Sequence, residues 1–151
     1  MEEVVPVRVP VQVRWRDMDA LGHVNNAVYI TYFELARLTY VRKLVGPDAA
    51  IDRRTLLPAE FQFILAEVNI KYRYPATLGD TLVVDIWVSS AGRKSWVFDY
   101  RITDEKSGRL FAEGCTTQVW YDYAANESRA VPEEMIARME RLQGGRAILR
   151  N

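Results

Sequence analysis

Apolar and polar side chains alternate strictly from Val7 to Trp15, with Val7, Val9, Val11, Val13 and Trp15 on one side and Arg8, Pro10, Gln12 and Arg14 on the other. A period of two predicts a half-buried strand, and Pro10, which lacks a backbone donor, puts this part of it at a sheet edge or a bulge. The polar segment from Asp17 to Asn26 breaks the alternation, and apolar residues then crowd together from Ala27 to Val45. This predicts one long helix, capped by Asn25 or Asn26 and ended by Gly46-Pro47. Its apolar residues spread beyond one stripe, so the helix is expected to be largely wrapped by other structure.

After a mixed connection from Asp48 to Glu60, alternation returns. Val68, Ile70, Tyr72 and Tyr74 point one way, Glu67, Asn69, Lys71 and Arg73 the other, and Pro75 ends the strand. Three more strands are predicted near Thr81 to Ser89, Ser95 to Thr103 and Leu110 to Tyr121, separated by turns at Ala91-Gly92 and Asp104 to Gly108. Short turns between successive strands imply an antiparallel meander. Pro132, Glu133 and Glu134, followed by Met135, Ile136, Met139 and Leu142 at helical spacing, predict a C-terminal helix over about 132–143. The order of elements implies an α+β fold in which a curved antiparallel sheet wraps one long central helix.

With 151 residues, 49% of them hydrophobic, the chain reads as one domain over 1–151 with a core over about 7–121. Twenty basic and twenty acidic residues leave no net charge, so no overall field favours nucleic acid or an anionic membrane. The single cysteine, Cys115, cannot form an internal disulfide and lies in no metal or redox motif; it is expected as a small core residue in a strand. No apolar run approaches a membrane span, and the Met-Glu-Glu start lacks a secretory pattern, which makes the cytoplasm the expected location.

The chemistry is concentrated in the strand-to-helix connection Arg16-Asp17-Met18-Asp19-Ala20-Leu21-Gly22-His23-Val24-Asn25-Asn26, which holds two carboxylates, the only histidine and two amides. The helix that follows supplies unpaired backbone donors and a partial positive charge at its start. A carboxylate beside such donors meets both needs of thioester hydrolysis: a nucleophile or base at the acyl carbon, and donors for the developing oxyanion.

Together, Asp17-Met18-Asp19, Gly22-His23-Val24-Asn25-Asn26, Tyr29, Phe33-Glu34, Tyr72, Pro75, Gly79-Asp80 and Arg93-Lys94-Ser95 resemble the hotdog-fold acyl-CoA thioesterases of the 4-hydroxybenzoyl-CoA thioesterase type. The resemblance runs to about Tyr121, and its specific part is Asp-x-x-x-His-Val-Asn-Asn-x-x-Tyr from Asp19 to Tyr29. It implies a single hotdog domain that hydrolyses an acyl thioester to a carboxylate and a thiol. Asp19 then matches the catalytic aspartate, which either attacks the carbonyl carbon or activates water. Asn26 marks the backbone oxyanion donor, and His23 orients the substrate carbonyl or places water. Asn25 stands between helix cap and site organiser, and Tyr29 between core packing and substrate contact. Asp17 reads as a turn or capping carboxylate. Glu34, too far along the helix to join the site, is expected in a buried or interface salt bridge, with Arg37 as a candidate partner. Arg93, Lys94 and Ser95 are implied to contact the nucleotide phosphates of coenzyme A.

The resemblance implies no metal and no cofactor, and a homodimer with active sites at its interface, dimers commonly joining into homotetramers. Alternatives are an enoyl-thioester hydratase or dehydratase and a non-catalytic acyl or acyl-carrier binding module. The hydratase signature separates its Asp and His by one residue more and has Asn-Pro between them, where this chain has Ala20-Leu21-Gly22. Plant acyl-carrier-protein thioesterases carry a catalytic Asn at the position of Leu21, which makes a carrier-protein substrate less expected than acyl-CoA. Aromatic-acyl members differ in the His-Val-Asn-Asn segment, which favours a fatty or branched acyl group.

Overall fold

The first strand, β1 (Val7–Gln12), alternates buried and exposed as its sequence dictates. It pairs on one side only, with Pro10 opposite Val83 on β3 (Thr81–Ala91), so the missing proline donor falls on a sheet edge. The computed structural model describes residues 3–151. Alternation does not carry through to Trp15. A single 3-10 turn over Trp15–Asp17 rotates the chain out of the sheet, and Trp15 is 81% exposed instead of sharing the valine face.

The central helix α1 spans Val28–Val45 and stops at Gly46, whose φ of 95° carries the chain out of the helix. Its buried residues, Tyr29, Tyr32, Phe33, Ala36, Arg37, Tyr40, Val41 and Leu44, follow a three-four spacing and form one stripe. Ile30 and Leu35 lie outside that stripe and are exposed, so the helix is covered on one face and not wrapped.

Strand β2 (Phe63–Tyr72) begins before the alternation that revealed it, and β4 (Ser95–Asp104) and β5 (Leu110–Asp122) complete the main sheet. The order is β1-β3-β4-β5-β2, in a sheet of seven strands that also includes the two-residue β6 (Glu127–Ser128), paired with β5, and β7 (Leu149–Arg150), paired in parallel with β3. Only β3, β4 and β5 form the expected meander, because β2 lies on the edge opposite β1. The connection between these two edges contains α1, which therefore crosses the sheet face and packs on β1 and β3. Gly114 in β5 helps the sheet curve: a Cβ there would collide with the Asn69 carbonyl of β2.

The C-terminal helix α2 (Glu133–Leu142) is tied in by the residue after it. Gln143 is buried; its side-chain amide donates to the Val88 carbonyl at 3.1 Å and accepts from the Tyr40 hydroxyl at 2.6 Å. Val88 borders the irregular pairing of β3 with β4, and Gln143 satisfies backbone groups there. Cys115 lies in a strand as expected but on the outer sheet face, partly buried, where burial raises its thiol pKa. The helix-facing residues of β5 are instead Ala112, Thr116 and Gln118.

Candidate active site

Between the 3-10 turn and α1 the chain makes a short hairpin excursion. Met18 bridges to Val24, the Asp19 N–H donates to the His23 carbonyl at 2.9 Å, and Gly22 N–H returns to the Asp19 carbonyl at 3.1 Å. The turn requires the left-handed φ of 81° at Gly22, a conformation open to glycine without cost. Buried Val24 pins the excursion to the body, where its N–H meets the Ala76 carbonyl at 2.8 Å. The tip presents Asp19 half-buried and His23 exposed.

The Asp19 carboxylate is held by its own loop. Its Oδ1 accepts the Leu21 N–H at 2.9 Å, and its Oδ2 faces the Asn25 amide nitrogen at 3.4 Å. Asn25 in turn accepts the Ala27 N–H on its side-chain oxygen at 2.9 Å, a turn bond ahead of the helix; the expected Asn cap does not form, because the N-cap residue is Ala27, which has no side-chain acceptor. Among the described residues the Asn26 N–H donates to no acceptor, while the Asn26 carbonyl receives the Tyr72 hydroxyl at 2.7 Å. An unspent amide at a helix start, in the same cleft as a carboxylate, can stabilise an oxyanion while the carboxylate attacks or activates water.

These groups line one cleft of about 330 Å³. Asp19, His23, Asn25, Asn26 and Tyr29, all expected from the sequence, meet there. Tyr29 is the floor: it is 2% exposed, its hydroxyl accepts the Ala76 N–H at 3.2 Å, and burial raises its pKa. The facing wall, from Tyr72 to Pro75, did not figure among the expected site residues. Tyr72 packs edge-on against Tyr29 with centroids 5.2 Å apart, and Arg109 lies 4.1 Å above the Tyr74 ring. Sequence alternation marks Tyr72 and Tyr74 as strand residues; only the return of β2 beside the start of α1 brings them to Asp19.

Arg93, Lys94 and Ser95 lie elsewhere in the chain. Ser95 pairs with Val119, whereas Tyr72 pairs with Ala112 on the same strand β5. At about 3.3 Å per residue the two ends are roughly 23 Å apart. Within its turn, the Lys94 ammonium donates to the Ser128 hydroxyl at 3.3 Å. Glu34 is exposed on α1 and makes no ion pair with Arg37 among the described residues. Arg37 is instead buried and donates to the Tyr100 hydroxyl at 3.3 Å, because its position belongs to the sheet-facing stripe.

Asp17 is fully buried behind the loop. Burial pushes its carboxyl pKa up, but hydrogen bonds from the Arg14 side chain and backbone and from Tyr32 outweigh this and hold it below the ordinary value. Tyr32 shifts upward, through burial first and its bond to Asp17 second.

A helix laid across a curved antiparallel sheet is the hotdog architecture of thioester hydrolases, here with a carboxylate cleft at the helix start. The chain belongs to the thioesterase-like superfamily, whose family model matches residues 13–139. Among solved structures it is similar to a thioesterase from Thermus thermophilus, crystallised with coenzyme A and zinc, at 35% identity and a TM-score of 0.78, covering 95% of this chain and 98% of that one. It is 26% identical to the long-chain acyl-CoA thioesterase FadM of Escherichia coli K12 over 90% of this chain and 98% of that protein. It is 28% identical to the acyl-CoA thioester hydrolase YbgC of Escherichia coli O6:H1 over 86% and 92%.

Proposed function

We propose that this protein hydrolyses acyl-CoA thioesters, with Asp19 as nucleophile or general base and the Asn26 backbone amide as oxyanion donor. The observation that carries this reading is the meeting of the Asp19 carboxylate with the unspent Asn26 N–H in one cleft. His23, on the same cleft, orients the thioester carbonyl or the attacking water. A fatty or branched acyl group on coenzyme A fits better than an aromatic acyl group or a carrier protein. The relatives that are named for acyl-CoA substrates support this choice. The products are a carboxylate and a free thiol, for which the reducing cytoplasm is a suitable compartment.

The working unit in this reading is a homodimer, or a homotetramer of two such dimers. Among the described residues β2 pairs only with β5 and leaves the other edge of its ten residues open, with Ile64 and Leu65 exposed along it. An open edge of this length, apolar toward its Phe63 end, invites strand pairing. Antiparallel pairing of two β2 edges sets the Phe63 end of a second copy beside the Tyr72 end of the first. The second copy's Arg93, Lys94 and Ser95 then approach the Asp19 cleft, where they can meet coenzyme A phosphates.

Thiol release from short, long, branched and aromatic acyl-CoAs, compared between wild type and Asp19→Asn, tests the reading. Release that Asp19→Asn lowers by about 100-fold or more is expected for loss of a positioned acid-base or nucleophilic group. No release from any substrate shifts the assignment to a hydratase or an acyl-binding module.

A further inference from the structure

Asp17 is a buried charge that the proposed chemistry does not use, and its surroundings are too complete for a turn residue alone. Its Oδ2 accepts the Tyr32 hydroxyl at 2.9 Å and the Arg14 N–H at 2.8 Å, and its Oδ1 accepts the Arg14 Nη2 at 2.9 Å. The residue's main chain is equally engaged. Its N–H donates to the Arg14 carbonyl at 2.9 Å, and its carbonyl accepts the Asn25 N–H at 2.8 Å. Residue 17 is therefore where the chain leaves for the Asp19 excursion and where Asn25 closes it.

The two side-chain donors have different reach. Arg14 is three residues away and its side chain is 55% exposed, so its bonds stiffen the 3-10 turn locally. Tyr32 is fifteen residues away, on the buried stripe of α1, and is the side chain that bonds the base of the loop to the helix. From there the contacts run through Asn25 to the Asp19 Oδ2. Without the Tyr32 hydroxyl, the loop base loses its side-chain tie to the body of α1 and keeps only the main-chain bond of the Val28 N–H to the Asn25 carbonyl, at 2.9 Å, where the loop runs into the helix.

We infer that Asp17 and Tyr32 are positioning residues: their buried hydrogen bond fixes where the loop docks on α1, and through Asn25 it sets the Asp19 carboxylate against the Asn26 amide. The inference rests on the assignment of Asp19 as the catalytic carboxylate. An error of about 1 Å in such a placement costs a rate factor of about 100 without weakening substrate binding to the same degree.

The test measures kcat and KM for acyl-CoA hydrolysis well below each variant's melting temperature. Wild type is compared with Asp19→Asn, Tyr32→Phe, Asp17→Asn, Arg14→Gln, Asn25→Ala and the Tyr32→Phe/Asn25→Ala double variant. Tyr32→Phe is expected to lower kcat by about 10- to 100-fold with KM within about twofold. Asp17→Asn, which keeps the shape and main-chain bonds of residue 17 and an amide oxygen that can still accept the Tyr32 hydroxyl, should lose less kcat than Tyr32→Phe. Arg14→Gln, which leaves the tie to α1, should stay within about threefold of wild type. Because Tyr32 acts through Asn25, the double variant should lose about as much as Asn25→Ala alone. Wild-type kcat in folded Tyr32→Phe with only a lowered Tm would reduce the pair to a structural role and overturn the inference. Multiplying losses in the double variant, or an Arg14→Gln loss equal to that of Tyr32→Phe, would also overturn it. Failure of the underlying reading looks different: wild type shows no turnover, or Asp19→Asn retains it.

Discussion

Two of the recesses on this molecule, nearly equal in size, differ in what their main chain offers to a bound group. The Asp19 cleft encloses about 330 Å³, and a recess on the outer sheet face, lined by Asn69, Lys71, Trp87, Asp99, Arg101 and Cys115, encloses about 350 Å³. Each contains a carboxylate. In the outer recess Asn69, Cys115, Asp99 and Trp87 form one row across four strands, where the main-chain donors of the central strands are spent on their neighbours. At Asp19 the chain leaves the ladder, and the start of α1 offers an amide that no intramolecular bond consumes among the described residues. Volume and acidity are shared by the two places; a main-chain donor without an acceptor near the acid is not.

The sharpest way to break this contrast is to remove each acid in turn. Asp19→Asn should lower thioester turnover by about 100-fold or more, whereas Asp99→Asn should leave kcat/KM within about twofold of wild type, the usual scale for a change remote from the reacting atoms. Equal losses in both, read by thiol release, would dissolve the distinction.

A smaller effect probes the wall opposite Asp19. Tyr72→Phe deletes the 2.7 Å bond to the Asn26 carbonyl while keeping the ring against Tyr29. Loss of one hydrogen bond of this kind corresponds to about 1 kcal/mol, or roughly fivefold in rate if it is felt in the transition state. The loss should appear in kcat, since the bond steadies the helix start and not the bound substrate. An unchanged kcat would separate Tyr72 from the oxyanion site.

That wall also shows where sequence reading reached its limit. The excursion from Asp19 to Asn26 is contiguous, so its residues had to be neighbours, and the dense motif told which chemistry to expect. Tyr72 stands 46 residues beyond Asn26, and their contact follows from β2 taking the edge opposite β1. Alternation specifies which face of a strand is buried, but not which strand lies beside it, so the meander was expected and the edge position of β2 was not. Trp15 failed for a related reason, since a period of two extends only as far as the backbone stays in the ladder. Arg93, Lys94 and Ser95 lie in a turn at the far end of β5 from Tyr72, and alternation along a strand does not specify which turn approaches the cleft.

Smaller still is the expected effect of that turn. Arg93→Gln with Lys94→Gln should raise KM several-fold for acyl-CoA, about 1 kcal/mol for exposed charges on phosphate, and leave KM for an acyl-pantetheine unchanged. Equal changes for both substrates would take the turn away from the nucleotide and weaken the dimer arrangement that brings it near.

The mildest test is of stability against pH, and it sets the Asp17 carboxylate beneath the cleft against Asp99 in the outer recess. Asp17 has its pKa lowered on folding, because hydrogen bonds from Arg14 and Tyr32 outweigh the upward push of burial. The unfolded chain therefore binds this proton more readily, and Asp17 contributes stability that is present above its unfolded pKa and lost as the pH falls through the folded value. Asp99 is shifted the other way, since burial raises its pKa and a hydrogen bond from Ser89 only partly offsets it. Its contribution is favourable in acid and lost as the pH rises through the raised folded value. Thermal melts from pH 3 to pH 7 should then diverge in sign. Asp17→Asn should be less stable than wild type at pH 7, with the gap closing toward pH 3, while Asp99→Asn should match or slightly exceed wild type at pH 7 and lose that advantage in acid. Parallel curves for the two variants would mean that both carboxylates meet the same environment, and the structural contrast between the recesses would lose its electrostatic half.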